Sequence, residues 1–280
     1  MHLNFQAIWN SLGLWLTFML FAFGHLHTQL SSWTLTVALF HRLIAFLVMG
    51  WLIINFIKIY RSNLINKRNL IKTLTLSILL FILLIILGII ASFIKFSPSI
   101  LAGFLGLAML FFMTLILFKE MQGHNDRACT GTCPYGVAID MPHRFHRFIL
   151  FVTVTFYLQI LWGAYVRHSG AGLVCPDFPL CQGQWMPNAF LPQVHILHRM
   201  GALIVEMLIL FLTFRAYTTQ QTLENRRRAK RAALLTLVQI TLGIGSVLSL
   251  THPLWTTAHL MTAMLILANL VLLSYHSKPA

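Results

Sequence analysis

Apolar stretches of about twenty residues recur along this chain, separated by short polar gaps, and few folds can accommodate them. Of its 280 residues, 58% are hydrophobic and only 9% charged. A soluble domain carries about a quarter charged residues, so this much apolar surface has no water-soluble hiding place. In lipid, every backbone polar group must be satisfied internally, and long apolar runs do so as helices. The runs fall at about 9–26, 34–57, 73–94, 99–118, 147–166, 194–215, 232–250 and 255–275. The expected fold is an all-α integral membrane protein with eight transmembrane helices. The first run is long and lacks a small-residue cleavage site, so it reads as a retained helix rather than a signal peptide.

The net charge of +14 invites a nucleic-acid reading, but its placement argues against one. All but four of the Lys and Arg residues lie beside alternate gaps or at the C-terminus; the exceptions are Arg42, Lys95, Arg167 and Arg199. That is the positive-inside pattern of a multi-pass protein whose partner is the lipid bilayer. It sets both termini in the cytoplasm and the segment GAYVRHSGAGLVCPDFPLCQG, from Gly163, on the opposite face. In a bacterial inner membrane that face is oxidising, so Cys175 and Cys181 are expected as a disulfide.

The chain reads as a duplicated four-helix unit. FHRLIAFLVMGWLI, from Phe40, matches LHRMGALIVEMLIL, from Leu197. LGIIASFIKFSPSILAGFLGLAML, from Leu87, matches LGIGSVLSLTHPLWTTAHLMTAML, from Leu242, without a gap. The implied organisation is two tandem four-helix bundles: 1–120, a connecting cytoplasmic loop at 121–146, and 147–280. The register pairs His41 with His198, but it pairs His259 with Phe104. The long loop with its cysteines has no counterpart in the first half, where only HTQLSSW joins the first two helices.

An ionisable residue inside a bilayer is costly and is a functional candidate by default. His198 and His259 stand on the sixth and eighth helices, near the same face of the membrane. Two opposed histidines in a four-helix unit are suited to holding a heme iron, one on each axial side. Arg167 and Arg199 stand beside that pocket, where arginine forks pair with heme propionates or lipid headgroups. His41 is a lone counterpart, with His25 and His27 nearby; it leaves open a five-coordinate heme, a bound porphyrin substrate or a vestige. His195 lies one turn before His198, while His168 and His252 read as interfacial. Glu206, deep in the sixth helix, reads as a structural or proton-relaying acid. Cys129 and Cys133, with His124, His143 and His146, stand in a segment read as a plain cytoplasmic loop. Their Cys-x3-Cys spacing departs from the usual Cys-x2-Cys zinc hairpin.

Together these features resemble the heme A synthase family, most specifically over residues 155–270. The resemblance implies oxidation of the heme O methyl group to the formyl of heme A by successive hydroxylations, in cytochrome oxidase maturation. It implies heme b between His198 and His259, and a redox or stabilising role for Cys175 and Cys181. It implies heme O and heme A as substrate and product near His41, with heme O synthase or a terminal oxidase as partner. The first half departs from the family: Ala38 stands where a glutamate is characteristic, Phe104 or Gly103 replaces a second histidine, and the glycine-rich loop is missing. Two readings follow. One is an oxidoreductase of heme A biosynthesis. The other is a catalytically degenerate b-heme membrane subunit serving electron transfer or structural support in a respiratory complex. A transporter is disfavoured, because Glu206 and Gln239 are almost the only polar residues near mid-span.

Overall fold

In the computed structural model the apolar runs are helices. The structure describes residues 5–27, 34–62, 64, 67–129, 143–219 and 221–278, with side chains beyond the main chain omitted at 5–10, 26–27, 34, 92 and 124–129. The described elements are α1 (Phe5–His27), α2 (Thr34–Arg61), α3 (Lys67–Phe93), α4 (Pro98–Cys129), α5 (His143–His168), α6 (Phe190–Thr218), α7 (Leu223–Leu248) and α8 (Pro253–His276). A 3-10 turn, Ala171–Leu173, lies between α5 and α6. Seven of these helices are long and apolar enough to cross a bilayer; the described apolar part of α1 is shorter, Ser11–His25.

Hydroxyls inside the helices are satisfied without leaving them. Thr17 donates to the Gly13 carbonyl (2.7 Å), Thr153 to Ile149 (2.8 Å), Thr236 to Ala232 (2.7 Å) and Thr262 to Ala258 (2.9 Å). Such i−4 bonds let polar side chains sit where no water is available. The outward faces are apolar: Phe46, Met207, Leu203 and Ile204 are all more than half exposed. Exposure on this scale fits lipid contact and not water. The chain is therefore an all-α, multi-pass membrane protein.

Most helices outrun the apolar runs that announced them. α7 begins at Leu223, so Arg226, Arg227, Arg228, Lys230 and Arg231 are helical and do not lie in a gap. Thr222 caps this helix by accepting from the Asn225 amide (3.3 Å), and Arg228 pairs with Glu224 at 3.0 Å. α4 likewise continues to Cys129. Hydropathy marks only the part of a helix in hydrocarbon, whereas basic residues with good helix propensity extend it into the interface. Pro98 and Pro253 open α4 and α8, where the missing amide hydrogen costs nothing.

By its contacts the chain divides into two compact units, Met1–Ser92 with Leu107–Ala138, and Phe93–Gly106 with Ile139–Ala280. The first has a core of Leu20, Val48, Trp51, Leu52, Leu74, Phe81, Phe111 and Phe118. Trp51 packs edge-on against Phe118, and Phe81 stacks on Phe111. The buried hydroxyls of Ser77 and Thr114 bond each other at 2.8 Å.

In the second unit α5 packs on α6 and α8, α6 on α7, and α7 on α8, which closes a ring of four helices. Tyr157 and Leu161 of α5 press on Gly106, at the unit's share of α4. Because neighbours in the ring are antiparallel, the N-termini of α6 and α8 lie at one end.

Candidate heme site

That shared end carries both histidines. His198 is in the third turn of α6 and His259 in the second turn of α8. Each ring lies against a glycine of the preceding helix. A Cβ at Gly163 would stand 2.8 Å from Cε1 of His198, and one at Gly243 would stand 3.1 Å from Cε1 of His259. Any side chain at Gly163 would displace its ring, since real Cβ contacts do not come that close.

Each ring is also held at Nδ1 by the residue one turn before its glycine. Nδ1 of His259 lies 3.0 Å from the Gln239 carbonyl. A carbonyl only accepts, so Nδ1 donates and Nε2 keeps its lone pair. Nδ1 of His198 lies 3.0 Å from the side-chain amide of Gln159, whose Nε2 also donates to the His198 carbonyl (2.7 Å). Neither Nε2 forms a hydrogen bond to a described residue.

A glycine cradle and a ring held at Nδ1 fit heme-iron ligation by His198 and His259, and at His259 the Gln239 carbonyl leaves the Nε2 lone pair free. Among the described residues there is no cluster of three or more His, Cys, Asp or Glu suited to a bare metal ion.

The first unit repeats half of this arrangement. His41 lies against Gly24, where a Cβ would stand 2.8 Å from Cε1, and its Nδ1 is 3.1 Å from the Leu20 carbonyl. Leu20 is again one turn before the glycine. Gly88, the repeat counterpart of Gly243, backs no ring: a Cβ there meets nothing within 4 Å. The sequence reading missed all three cradle glycines. Their signal was present, because a mid-helix glycine costs about 0.5–1 kcal/mol relative to alanine and needs a reason. It also missed Gln159 and the motif Gln-Ile-x-x-Gly, which occurs at both 159–163 and 239–243, with Leu20 and Leu84 in the corresponding first-half positions.

The loop after α5 is built as expected around a disulfide, Cys175–Cys181, both residues fully buried. Cys181 and Gln184 exchange backbone hydrogen bonds of 3.0 Å each. The Asp177 carboxylate accepts from the amides of Gln182 (2.9 Å) and Gly183 (3.1 Å). These two bonds, the Gln182 amide foremost, hold its carboxyl below the usual carboxylate range. Gln182 and Gly183 both adopt left-handed φ, 54° and 74°.

Arg199 was expected at the pocket mouth, beside heme propionates or lipid headgroups. Its guanidinium donates to the carbonyls of Cys175 (2.9 Å), Leu180 (2.5 Å) and Pro179 (3.1 Å) and stands over the Phe178 ring. Three loop carbonyls converge there because the disulfide folds the segment back, and a planar fork matches them. Arg167, one turn after Gly163, shares the α5 face that carries the His198 cradle. Trp162 fixes that helix by donating to the Val194 carbonyl at 3.1 Å.

His195 is buried, with no hydrogen-bond partner for Nδ1 among the described residues. Both oxygens of the buried Glu206 are likewise without a partner among the described residues. The expectations for His27, His124, Cys129 and Cys133 lie outside the described side chains.

Comparison with known proteins bears on the same residues. The chain is 30% identical over 184 residues to the heme A synthase of Shouchella clausii, covering 64% of this chain and 58% of that protein. It is 32% identical over 157 residues to the heme A synthase of Halalkalibacterium halodurans (55% and 50% covered). It is 33% identical over 156 residues to that of Bacillus cereus (53% and 49% covered). The chain thus spans about half the length of the curated relatives it matches. The profile of one family, described as cytochrome oxidase assembly protein, matches residues 93–271, which hold His198, His259, the disulfide loop and both Gln-Ile-x-x-Gly motifs. That match covers well over half of the sequence, and the chain belongs to the COX15-CtaA family of cytochrome oxidase assembly proteins.

Proposed function

We propose that this protein binds heme in the membrane and acts in heme A biosynthesis, oxidising the heme O methyl group to the formyl of heme A during cytochrome oxidase maturation. The carrying observation is the pair of cradled histidines at one end of the α5–α8 ring, each held at Nδ1 by the residue one turn before its glycine. His198 and His259 would hold a heme b, which when bound would supply one-electron chemistry. Gly163 and Gly243 make room for the two rings, and the Gln239 carbonyl keeps the His259 proton on Nδ1. Arg167 would pair with a propionate at the mouth, while Arg199 and Asp177 keep the disulfide loop folded over the same end. His41, set by Gly24 and the Leu20 carbonyl, receives the substrate porphyrin in the first unit. The protein sits in the bacterial inner membrane with both termini cytoplasmic, as the basic residues favour.

The second reading, a b-heme subunit without the oxidation, is favoured by one observation. Gly88 backs no ring, and Phe104 stands where the second half has His259. Pigment extraction from the purified protein, with coexpression in cells that make heme O, separates the two. Formation of heme A supports the enzyme. A single b-type heme with no heme A formed supports the subunit and excludes the oxidation.

A further inference from the structure

We propose that Gln159 is a positioning residue that sets the tautomer of His198, and with it the readiness of that ring to bind iron, by turning one or the other end of its amide to Nδ1. The inference rests on the reading of His198 as an axial ligand.

The three cradled histidines are not anchored alike. His259 and His41 face main-chain carbonyls, 3.0 and 3.1 Å from Nδ1. A carbonyl accepts and never donates, so the His259 anchor permits one neutral tautomer, with the proton on Nδ1 and a lone pair on Nε2. His198 instead faces a group with two ends. With the Gln159 NH2 at 3.0 Å from Nδ1 and 2.7 Å from the His198 carbonyl, both amide hydrogens are engaged. Nδ1 then accepts, the ring proton resides on Nε2, and no lone pair is left there for a metal.

A half-turn of the amide exchanges its oxygen for its nitrogen at almost no change in shape. Oε1 then accepts from Nδ1–H, and Nε2 of the ring is free to ligate. The His198 carbonyl, 2.7 Å from this end of the amide, then faces an acceptor in place of a donor, so the turn is accompanied by a small shift of the amide away from it, and the carbonyl keeps its place in the helix ladder.

The surroundings allow the turn. A Cβ at position 201 would collide with the Gln159 amide oxygen, so Gly201 leaves the space in which the amide rotates. Gln159 also lines a groove of about 300 Å³ between α5 and α6, walled by Thr155, Leu158, Trp162, Leu197 and Ile204. Gln239, the matching residue of the second motif, anchors its histidine through its main chain, and Leu20 and Leu84 have no amide to offer. The two-ended anchor is therefore confined to His198 among the cradled rings, and it makes the His198 side of the heme the adjustable one.

The test uses the full-length heme-loaded protein in detergent with three variants: Gln159→Glu, Gln159→Leu and His198→Ala. The readouts are the low-spin optical and EPR spectrum, the midpoint potential, and the rate of heme release to an excess of apomyoglobin. A carboxyl in either protonation state offers Nδ1–H an acceptor, so Gln159→Glu should keep the six-coordinate spectrum, lower the potential and slow heme release. Gln159→Leu should raise the potential and speed release about 10-fold or more, the scale of lost outer partners of metal-bound histidines. Should Gln159→Leu fold poorly, the downward shift of the Gln159→Glu potential decides alone. Wild-type potential and release in the Gln159 variants, with the six-coordinate spectrum lost in His198→Ala, would overturn the inference and leave the ligand reading intact. Survival of that spectrum in His198→Ala would overturn both.

Discussion

Gly163 and His198 meet so closely that a single methyl group on the glycine would lie 2.8 Å from the imidazole Cε1. Helix α5 thus approaches the ring with bare backbone, and the ring has no room to retreat while its Nδ1 is held by Gln159. Overpacking of this kind costs about 1–3 kcal/mol. Gly163→Ala should therefore lower heme content per purified protein by roughly 5-fold or more, on the free-energy scale of such overpacking. Gly243→Ala, with 3.1 Å to its ring, should cost less. Heme-to-protein ratios from pyridine hemochrome assays of the two variants check the order.

Gly88 provides the opposite case. A Cβ there meets nothing within 4 Å, and the residue is in the interior of α3. Gly88→Ala should leave heme content unchanged and raise stability by up to about 1 kcal/mol, because alanine loses less backbone entropy on helix formation. Thermal unfolding in detergent measures this. A loss of bound heme in this variant would mean that Gly88 faces a cofactor after all.

The Arg199 fork joins three loop carbonyls, and lysine cannot copy that geometry. Arg199→Lys should expose the buried Cys175–Cys181 bond, so that a mild reductant followed by maleimide labelling modifies the thiols several times faster than in the wild type. Equal labelling rates would show that the loop is held by other contacts.

Asp177 makes the loop sensitive to acid. Its folded carboxyl is held below the usual carboxylate range by the Gln182 and Gly183 amides. Its contribution to loop order is therefore present above the ordinary aspartate pKa and is lost as the pH falls through the depressed folded value. Thiol labelling should rise only at acid pH in the wild type. In Asp177→Asn, which keeps one acceptor and loses the charge, labelling should already be raised at neutral pH, with a flatter acid response.

The membrane helices were legible because hydrocarbon forces long apolar runs, and α5, α6 and α8 differ from their expected spans only at the ends. Those ends were not legible, because Arg226–Arg231 reads as a polar gap and folds as two helical turns. His198 and His259 stood out as ionisable residues in apolar runs, and His198 also through the repeat. Their supports did not, because the Gln239 and Leu20 carbonyls are main-chain atoms with no sequence signature. The cradle glycines were visible in principle, once the repeated Gln-Ile-x-x-Gly was compared between α5 and α7. The loop contacts of Arg199 were not legible for a different reason. A charged residue at a pocket mouth suggested an anionic ligand, whereas folding of the disulfide loop had already gathered three acceptors around it.

The central claim is that His198 and His259 together hold one heme. Its most direct test is the EPR spectrum of the oxidised protein, wild type against His259→Leu. The wild type should show a low-spin six-coordinate signal, and His259→Leu should convert it to high-spin five-coordinate or lose the heme. A low-spin signal that persists unchanged in His259→Leu would contradict the assignment of this ligand pair.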